Sequence, residues 1–230
     1  MRSRPRSKPL KDSVTARSHR TRERPDRERT FIEKARRRQI LDVALELFSK
    51  HGYNQTSLSD ISAAVGVSKG VISYHFHGKA ELGIEALRHM LRLYGDFVRG
   101  RLKVHATARD KLLELPGACI DFVQQNPSVY LVYLDTLGSF GTAMERQRFM
   151  SHADAGMRGL ICELLREAQA QKHIPQFPVQ PVADVLQAAV DGLTEQSSVA
   201  PGSIDLEASK RVVQTILAAI LDGHVSLGRR

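Results

Sequence analysis

Two short helical patterns separated by Gly66 constrain the fold of this chain most strongly. The segment 57–60 has the spacing of a capping box, with a serine at the N-cap and an acidic residue three positions later. A short helix follows, Gly66 ends it, and Ser68 can cap a second helix that continues to about His77. Because a longer helix precedes both, the pattern predicts a three-helix unit that contains a helix-turn-helix.

Apolar residues recur at helical spacing along most of the chain. In the first helix they are followed by Gly52, which is typical of a C-terminal cap. The later segments end at Pro or Gly residues, and no run of strand length has alternating polarity. The fold is therefore predicted to be all-α, and the helices after the N-terminal unit are expected at about 79–105, 107–125, 127–137, 142–171, 180–197 and 205–224.

The sequence divides into three predicted parts. Residues 1–30 are rich in Arg, Ser and Pro and contain few large apolar residues, so we expect a disordered basic arm. Residues 31–78 form the three-helix unit, and residues 79–230 form a larger helical domain. Residues 1–38 contain 15 Lys and Arg against 5 Asp and Glu, whereas the remaining 192 residues contain 19 against 20. Such a basic block either contacts a polyanion or is a solvated tail.

The composition is that of a soluble globular protein in a reducing compartment. Hydrophobic residues make up 42% of the sequence and charged residues 26%. Cys119 and Cys162 lie in apolar stretches without metal-ligand spacing, which indicates buried thiols. No apolar run is long enough to cross a membrane, and none follows the basic N-terminus as in a secretory signal. We therefore expect a cytoplasmic protein.

The stretch from Ile32 to Leu82 contains many specific residues at fixed spacing. These are Phe48, Gly52, Tyr53, Thr56, Ser57, Ile61, Gly66-Val67-Ser68, Tyr74-His75-Phe76, Lys79 and Leu82. The stretch resembles the DNA-binding domain of the tetracycline-repressor (TetR) family of bacterial transcription regulators. The rest of the chain is similar to that family only in architecture and length. The resemblance implies a small helix-turn-helix domain followed by a helical domain for effector binding and dimerisation.

The resemblance also implies that the third helix enters the major groove of DNA. Its first turn would face base edges, and its N-terminus and later residues would contact phosphates. Ser73 departs from the aromatic residue that many members have, and Gly78 from a Ser or Asn helix cap. Ile72 and Phe76 are expected in the core, and His75 is either a phosphate contact or a packing residue. The predicted DNA contacts are Arg38 (with Arg37 as its alternative in the first helix), Ser57, Ser59, Ser68, Lys69, Gly70, Val71, Ser73, Tyr74, His75 and Lys79.

The last two helical patterns have more apolar surface than their own domain needs. Such a surplus indicates burial against a partner, although a fully buried core helix is the alternative. In the resembled family, the last two helices of each subunit form a four-helix dimer interface, which implies a homodimer and a pseudo-palindromic operator. The predicted interface residues are Val185, Leu186, Ala189, Leu193, Val213, Ile216, Leu217 and Ile220.

Eight of the 13 aromatic residues lie beyond residue 90. Members of the resembled family typically enclose a small-molecule pocket in this domain, although an ordinary core position is the favoured alternative for each residue taken singly. The candidates would form an apolar pocket with few polar groups, which favours an apolar effector. They are Tyr94, Phe97, Phe122, Tyr130, Tyr133, Phe149 and Met157.

The sequence therefore predicts a dimeric repressor that binds double-stranded DNA and is released by a small hydrophobic effector. An architectural DNA-binding protein with the same head and no effector is the alternative. An enzyme is not expected, because the chain lacks a Gly-rich phosphate loop, GxSxG, HExxH and a convincing carboxylate pair. No metal or cofactor is expected either, since His75 and His77 would point away from each other on a helix.

Overall fold

The computed structural model describes residues 31–139 and 142–228, and these residues form helices and no strand. The predicted basic arm, residues 1–30, lies outside the described residues. The all-α prediction is confirmed. The helices are α1 (Phe31–His51), α2 (Leu58–Val65), α3 (Lys69–His75), α4 (Lys79–Leu102), α5 (Ala108–Gln125), α6 (Val129–Gly138), α7 (Ala143–Ala170), α8 (Val179–Val199) and α9 (Leu206–Leu221).

The helix-turn-helix uses the capping box and the Gly66 stop that its sequence indicates, but not the predicted Ser68 side-chain cap. The Ser57 hydroxyl accepts a hydrogen bond from the Asp60 N–H at 3.2 Å, and the Asp60 carboxylate accepts one from the Ser57 N–H at 2.8 Å. This capping box starts α2, and Gly66 ends it with a φ of 76°, which a glycine adopts without strain. Ser68 precedes α3, but only its carbonyl takes part, accepting the Val71 N–H at 3.0 Å; its hydroxyl makes no capping hydrogen bond.

Three helices end earlier than their apolar spacing predicts. Helix α3 ends at His75, because Phe76 has an extended backbone (φ −143°, ψ 131°) and places its ring in the core. Helix α4 ends at Leu102 rather than near residue 105. Helix α9 ends at Leu221 rather than near residue 224, just before Gly223 with its φ of 79°. Apolar spacing does not locate the end of α3, because Phe76, which follows the helix, also packs in the core.

Two groups of buried side chains form the core, and α4 contributes to both. The first group joins α1, α2 and α3 to the first half of α4 and includes Phe48, Ile72, Phe76 and Leu87, with Val132 from α6. The second joins the end of α4 to α5, α7, α8 and α9. The expected core positions of Ile72 and Phe76 are thus confirmed. Because α4 passes from one core to the other, a displacement of its second half would also move the head, by which we mean α1 to α3.

The two cysteines lie in the second domain and are free and buried, as expected. Burial raises the pKa of the Cys119 thiol to about 12, so this thiol stays protonated at neutral pH. None of the helices in the described part of the chain is long and apolar enough to span a membrane.

Candidate functional site

Helix α3 has one buried face and one exposed face. Ile72 is fully buried, whereas Lys69, Gly70 and Ser73 are exposed and Tyr74 has 71% of its surface accessible. The four exposed residues are all predicted DNA contacts, and they form one continuous surface on the second helix of the helix-turn-helix.

The first turn of α3 has little packing of its own. The Ser68 side chain is exposed, and Val71 is half-buried. A β-carbon placed on Gly70 would have the Ser68 Oγ at 3.6 Å, an ordinary van der Waals distance. Nothing inside the described chain therefore requires a glycine at this position, although glycine weakens a helix by up to about 1 kcal/mol relative to alanine. Close approach of a partner's surface is a physical reason to keep it.

Ser57, which caps α2, and Ser59, which lies within it, differ in the hydrogen bonds that they make. The Ser57 hydroxyl is used in the capping box. A hydrogen bond between the side chains of Ser57 and Asp60 is the main cause that lowers the pKa of the Asp60 carboxyl below its ordinary value. Ser59 is half-buried, and its carbonyl accepts the Ser62 hydroxyl at 2.9 Å. The predicted contacts of both serines with DNA remain predictions.

Tyr74 and His75 are held by neighbours rather than extended freely into solvent. The Tyr74 hydroxyl donates to Oε1 of Glu33 at 2.9 Å, which connects α3 to the beginning of α1. The Tyr74 and His75 rings meet edge to face with their centroids 5.1 Å apart. Contacts within the protein therefore define the positions of both side chains in the absence of DNA.

Lys79, at the start of α4, is positioned over the turn between α1 and α2. Its ammonium donates to the carbonyl of Asn54 at 3.0 Å and lies 4.6 Å from the centre of the Tyr53 ring. The residue is half-buried, and no carboxylate among the described residues pairs with its ammonium. A positive charge held in one place suits a contact with a phosphate.

The two candidate arginines of α1 have different environments. Arg38 is exposed. Arg37 points inward with 16% of its side chain accessible, and it bonds to the carbonyl of His75 and to Glu85. The structure therefore favours Arg38 over Arg37 as the predicted contact of the DNA backbone, because the Arg37 guanidinium is occupied within the protein.

The aromatic residues predicted to line one pocket form two separate groups. In the first, the Tyr94 and Phe97 rings lie 5.2 and 5.5 Å from the Phe122 ring. The second group packs partly against the head: Tyr133 lies 6.1 Å from Tyr130 and 6.5 Å from Phe149. Met157 is half-buried against the core of the second domain.

Two exposed carboxylates of α8 act on a tyrosine of each aromatic group, and the sequence prediction did not include them. Burial first, and then the Cys119 thiol and the Asp191 charge, raise the pKa of the Tyr94 hydroxyl well above its ordinary value. Burial, a hydrogen bond with Glu195 and the charge of Asp191 raise the pKa of Tyr130 to about 12. Because Asp191 and Glu195 are four residues apart, they lie on the same side of α8. That spacing was the available signal, but acidic residues on a helix are usually solvated.

The second domain also contains a buried polar atom without a partner among the described residues. Gln187 of α8 is buried, and its Oε1 accepts no hydrogen bond there. An unpaired buried acceptor costs about 1–3 kcal/mol. Such a group is therefore a candidate to accept a hydrogen bond from a bound molecule.

A cavity of about 340 Å³ lies between the head and the second domain. Of the predicted pocket residues, only Phe122 lines it. Its two acidic residues are already paired, Asp42 with His89 at 2.6 Å and Glu46 with Lys50 at 2.6 Å. The full lining is Asp42, Leu45, Glu46, Ser49, Met90, Leu93, Phe122, Asn126, Pro127, Ser128 and Val132.

The predicted dimer interface is only partly on the surface. Val185 of α8 is 69% exposed and Ile216 of α9 is 56% exposed, and Val199 and Val212 are exposed beside them. Leu186 and Leu217 are buried in the core of their own domain, so including them in the interface was wrong; helical spacing alone does not tell the two faces apart. The remaining predicted residues, Ala189, Leu193, Val213 and Ile220, are half-buried.

Comparison with known proteins agrees with this architecture. Residues 40–86 match the family model described as bacterial regulatory proteins, tetR family. Residues 108–222, which are half of the chain, match the model of the BetI-type transcriptional repressor, C-terminal. The chain belongs to the tetR family of bacterial regulatory proteins. The resemblance found from the sequence is therefore confirmed.

Relatives of this tetR-family regulator are themselves transcriptional regulators. The HTH-type transcriptional regulator BetI 1 of Chromohalobacter salexigens is 28% identical over 181 residues, which cover 77% of this chain and 86% of the relative. BetI of Escherichia coli O157:H7 is 24% identical over 176 residues, covering 76% and 88%. The regulator is thus a DNA-binding helix-turn-helix protein.

Solved structures have the same fold at low identity. A transcriptional regulator from Saccharomonospora viridis in complex with choline has a TM-score of 0.66 and 23% identity, and the match covers 80% of this chain and 96% of that one. FadR from Bacillus subtilis in complex with stearoyl-CoA has a TM-score of 0.66 and 20% identity, with 78% and 96% covered. The tetR-family regulator therefore shares its fold with proteins that hold chemically different ligands.

Proposed function

We propose that this regulator is a dimeric repressor that binds a pseudo-palindromic DNA operator and is released from it by a small-molecule effector. The observation that carries the proposal is the exposed face of α3, where Lys69, Gly70, Ser73 and Tyr74 are open to a partner while Ile72 holds the other face in the core. A recognition helix must have this division, because it packs on the protein and reads DNA at the same time.

Specificity and affinity come from different parts of the head in this proposal. Ser68, Lys69, Gly70 and Val71 in the first turn of α3 meet base edges. The backbone contacts hold the head in register, and each cation among them adds attraction that depends on salt. They are Arg38, Ser57, Ser59, Ser73, Tyr74, His75 and Lys79.

Dimerisation would cover the exposed apolar residues of α8 and α9. Val185 and Val199 on α8 and Val212 and Ile216 on α9 are large apolar side chains in contact with water. Burying such side chains contributes about 25 cal/mol for each Å² removed from water. A two-fold axis through this surface would place two copies of α3 on one face of the dimer, which requires a pseudo-palindromic operator.

We propose a small organic cation such as choline as the effector, rather than the apolar molecule expected from the sequence. The negative charge of Asp191 acts on both Tyr94 and Tyr130, and Glu195 bonds to Tyr130. Aromatic faces together with carboxylates attract quaternary ammonium groups. The structurally similar regulator from Saccharomonospora viridis in complex with choline supports this class.

Release follows if the effector prefers a conformation of α4 in which the two heads no longer match the operator spacing. Binding then shifts the population away from the DNA-binding form. By linkage, DNA weakens effector binding by the same factor.

The test begins with selection of duplexes from a random library by the purified protein. We expect one pseudo-palindromic sequence to be enriched, and choline chloride to release it at concentrations where sodium chloride does not. Stearoyl-CoA provides the comparison ligand. Failure to enrich any sequence would contradict the proposed repressor function. Enrichment without release by any ligand would favour the alternative, an architectural DNA-binding protein without an effector.

A further inference from the structure

We propose that Arg37 is a positioning residue for DNA recognition: it fixes the C-terminal end of α3 against α1 and α4 and does not touch DNA. One guanidinium nitrogen donates to the carbonyl of His75 at 2.6 Å, and another donates to Oε2 of Glu85 at 2.9 Å. The guanidinium carbon lies 4.2 Å from the centre of the Phe76 ring. The Arg37 side chain on α1 thereby contacts three places: the last residue of α3, the Phe76 ring that follows α3, and α4.

Helix α3 needs external support because it is short. It contains seven residues, and an isolated helix of that length is not stable in water. Its last carbonyls have no partner within the helix. The Arg37 guanidinium donates to one of these carbonyls, that of His75. Its positive charge also stabilises the helix by interacting with the negative C-terminal end of the helix dipole. The positions of Tyr74 and His75, at this end of α3, therefore depend on Arg37.

Glu85 completes the contact from α4. Its side chain is 19% exposed, and it bonds to Arg88 at 2.6 Å as well as to Arg37. Burial alone would raise the pKa of Glu85, but the hydrogen bonds from Arg88 and Arg37 lower it, so the carboxylate is charged at neutral pH. A lysine cannot replace Arg37 fully, because an ammonium lacks the planar fork that reaches a carbonyl and a carboxylate while stacking on a ring.

Arg38 provides a matched control. It follows Arg37 directly and carries the same charge, but its side chain is exposed. If Arg38 contacts a phosphate, its loss lowers the dependence of binding on salt, whereas the loss of a positioning residue leaves that dependence unchanged. The comparison of Arg37→Met with Arg38→Met therefore separates the two roles within one helix.

The inference rests on the proposed DNA-binding function of α3, and the experiment uses the full chain with the duplex selected by the wild type. Dissociation constants are measured over a series of salt concentrations, for the selected duplex and for a scrambled one. We expect Arg37→Met to weaken binding to the selected duplex by about tenfold or more, as for the loss of a hydrogen bond to a charged group. Binding to the scrambled duplex should change much less, so the specificity ratio falls.

The salt slope should be unchanged for Arg37→Met and smaller by about 0.9 for Arg38→Met. Arg37→Lys should recover only part of the lost specificity. Glu85→Gln, which keeps the shape of the side chain, should reproduce the loss of specificity in milder form and serves as the test if Arg37→Met does not fold. The double variant Arg37→Met/Glu85→Gln should lose less than the two single losses combined, since both belong to one contact.

Three outcomes would overturn the inference. Wild-type specificity in both Arg37→Met and Glu85→Gln would show that the contact is not needed. A reduced salt slope in Arg37→Met would make Arg37 a phosphate contact. Val65→Ala, a core substitution in the head, measures the effect of stability alone; an equal loss of specificity at an equal loss of thermal stability would reduce Arg37 to a structural role. Absence of DNA binding by the wild type would instead contradict the proposed function itself.

Discussion

The head and the second domain present their proposed functional groups in opposite ways. On α3, Lys69 and Tyr74 are exposed, so a large partner can meet them from outside without a change in the core. In the second domain, Tyr94 is enclosed deeply enough for burial to raise its pKa, and Cys119 is fully buried beside it. A rigid duplex requires an outer surface, whereas a small molecule requires side chains that surround it. In the proposed function, the same helical architecture therefore separates surface recognition from internal recognition.

The two regions are joined by contacts that involve the turn between α1 and α2. The carboxylate of Asp135 on α6 accepts the Tyr53 N–H at 2.5 Å and the Asn54 side-chain amide at 3.3 Å. Lys79 donates to the Asn54 carbonyl from the other side. Gly83 of α4 packs so closely that a β-carbon there would lie 2.5 Å from the Tyr53 ring. A shift of α6 or α4 would thus reach a proposed phosphate contact directly.

The largest expected effect tests the buried side of α3. Phe76→Ala should lower the free energy of unfolding by about 3–5 kcal/mol, because it removes a fully buried ring from the head. Ser73→Ala, on the exposed side, should stay within about 0.5 kcal/mol. Denaturant unfolding followed by circular dichroism measures both. Equal losses for the two variants would contradict the division of α3 into a packing face and a contact face.

The next effect concerns internal recognition. Asp191→Asn should weaken choline binding by about tenfold, because it removes a negative charge whose attraction for an ammonium at about 4 Å is about 1 kcal/mol in water and about 4 kcal/mol near a protein surface. Calorimetric titration with choline measures it, and Asp184→Asn on the same helix is the control, because Asp184 pairs with Arg158 at 3.1 Å. DNA affinity without choline should be unchanged in both variants. Loss of DNA affinity in Asp191→Asn would mean that the carboxylate serves the fold and not the effector.

A smaller effect is expected for acid stability within the second domain. Burial would raise the pKa of Asp121, but hydrogen bonds from Lys210 and Arg101 lower it below its ordinary value. A lowered pKa in the folded state stabilises the protein above the unfolded-state pKa, and this stabilisation is lost as the pH falls through the folded-state value. Lys210→Met should therefore cost up to about 1 kcal/mol at neutral pH, after solvent screening, and make the loss of stability below about pH 4 shallower.

Unfolding midpoints measured from neutral pH down to the acid range test this expectation, with Lys111→Met as a control on α5. An unchanged acid profile would show that Arg101 alone sets the charge of Asp121. DNA binding at neutral pH should remain as in the wild type, because the network lies in the second domain, away from the head.

The smallest expected effect separates two lysines of the head. Lys79→Ala should weaken binding to all duplexes by a similar factor and lower the salt slope by about 0.9. Lys69→Ala should change the base preference at one operator position, because Lys69 lies in the first turn of α3. Binding assays with the selected duplex and its single-base variants measure both. Wild-type behaviour of both variants would contradict the docking of α3 in the major groove.

The head was more predictable from the sequence than the second domain. The capping box at Ser57, the stops at Gly52 and Gly66 and the buried Ile72 and Phe76 follow from local chemistry that acts within a few residues. The second domain has no such signals for its function. Helical spacing showed that α8 and α9 are apolar but not which apolar residues face their own domain, so Leu186 and Leu217 were assigned to the wrong face.

The amino-acid sequence by itself determined the helices, the order of the head and the second domain, and the division of α3 into buried and exposed residues. Caps, glycines with positive φ and apolar spacing act over one or two helical turns, and the sequence contains all of them. Only the tertiary structure decided that Arg37 turns inward while Arg38 stays outside, and that Asp191 and Glu195 stand beside Tyr94 and Tyr130. Those contacts join residues that are distant along the chain, and helical periodicity carries no information about which helices become neighbours.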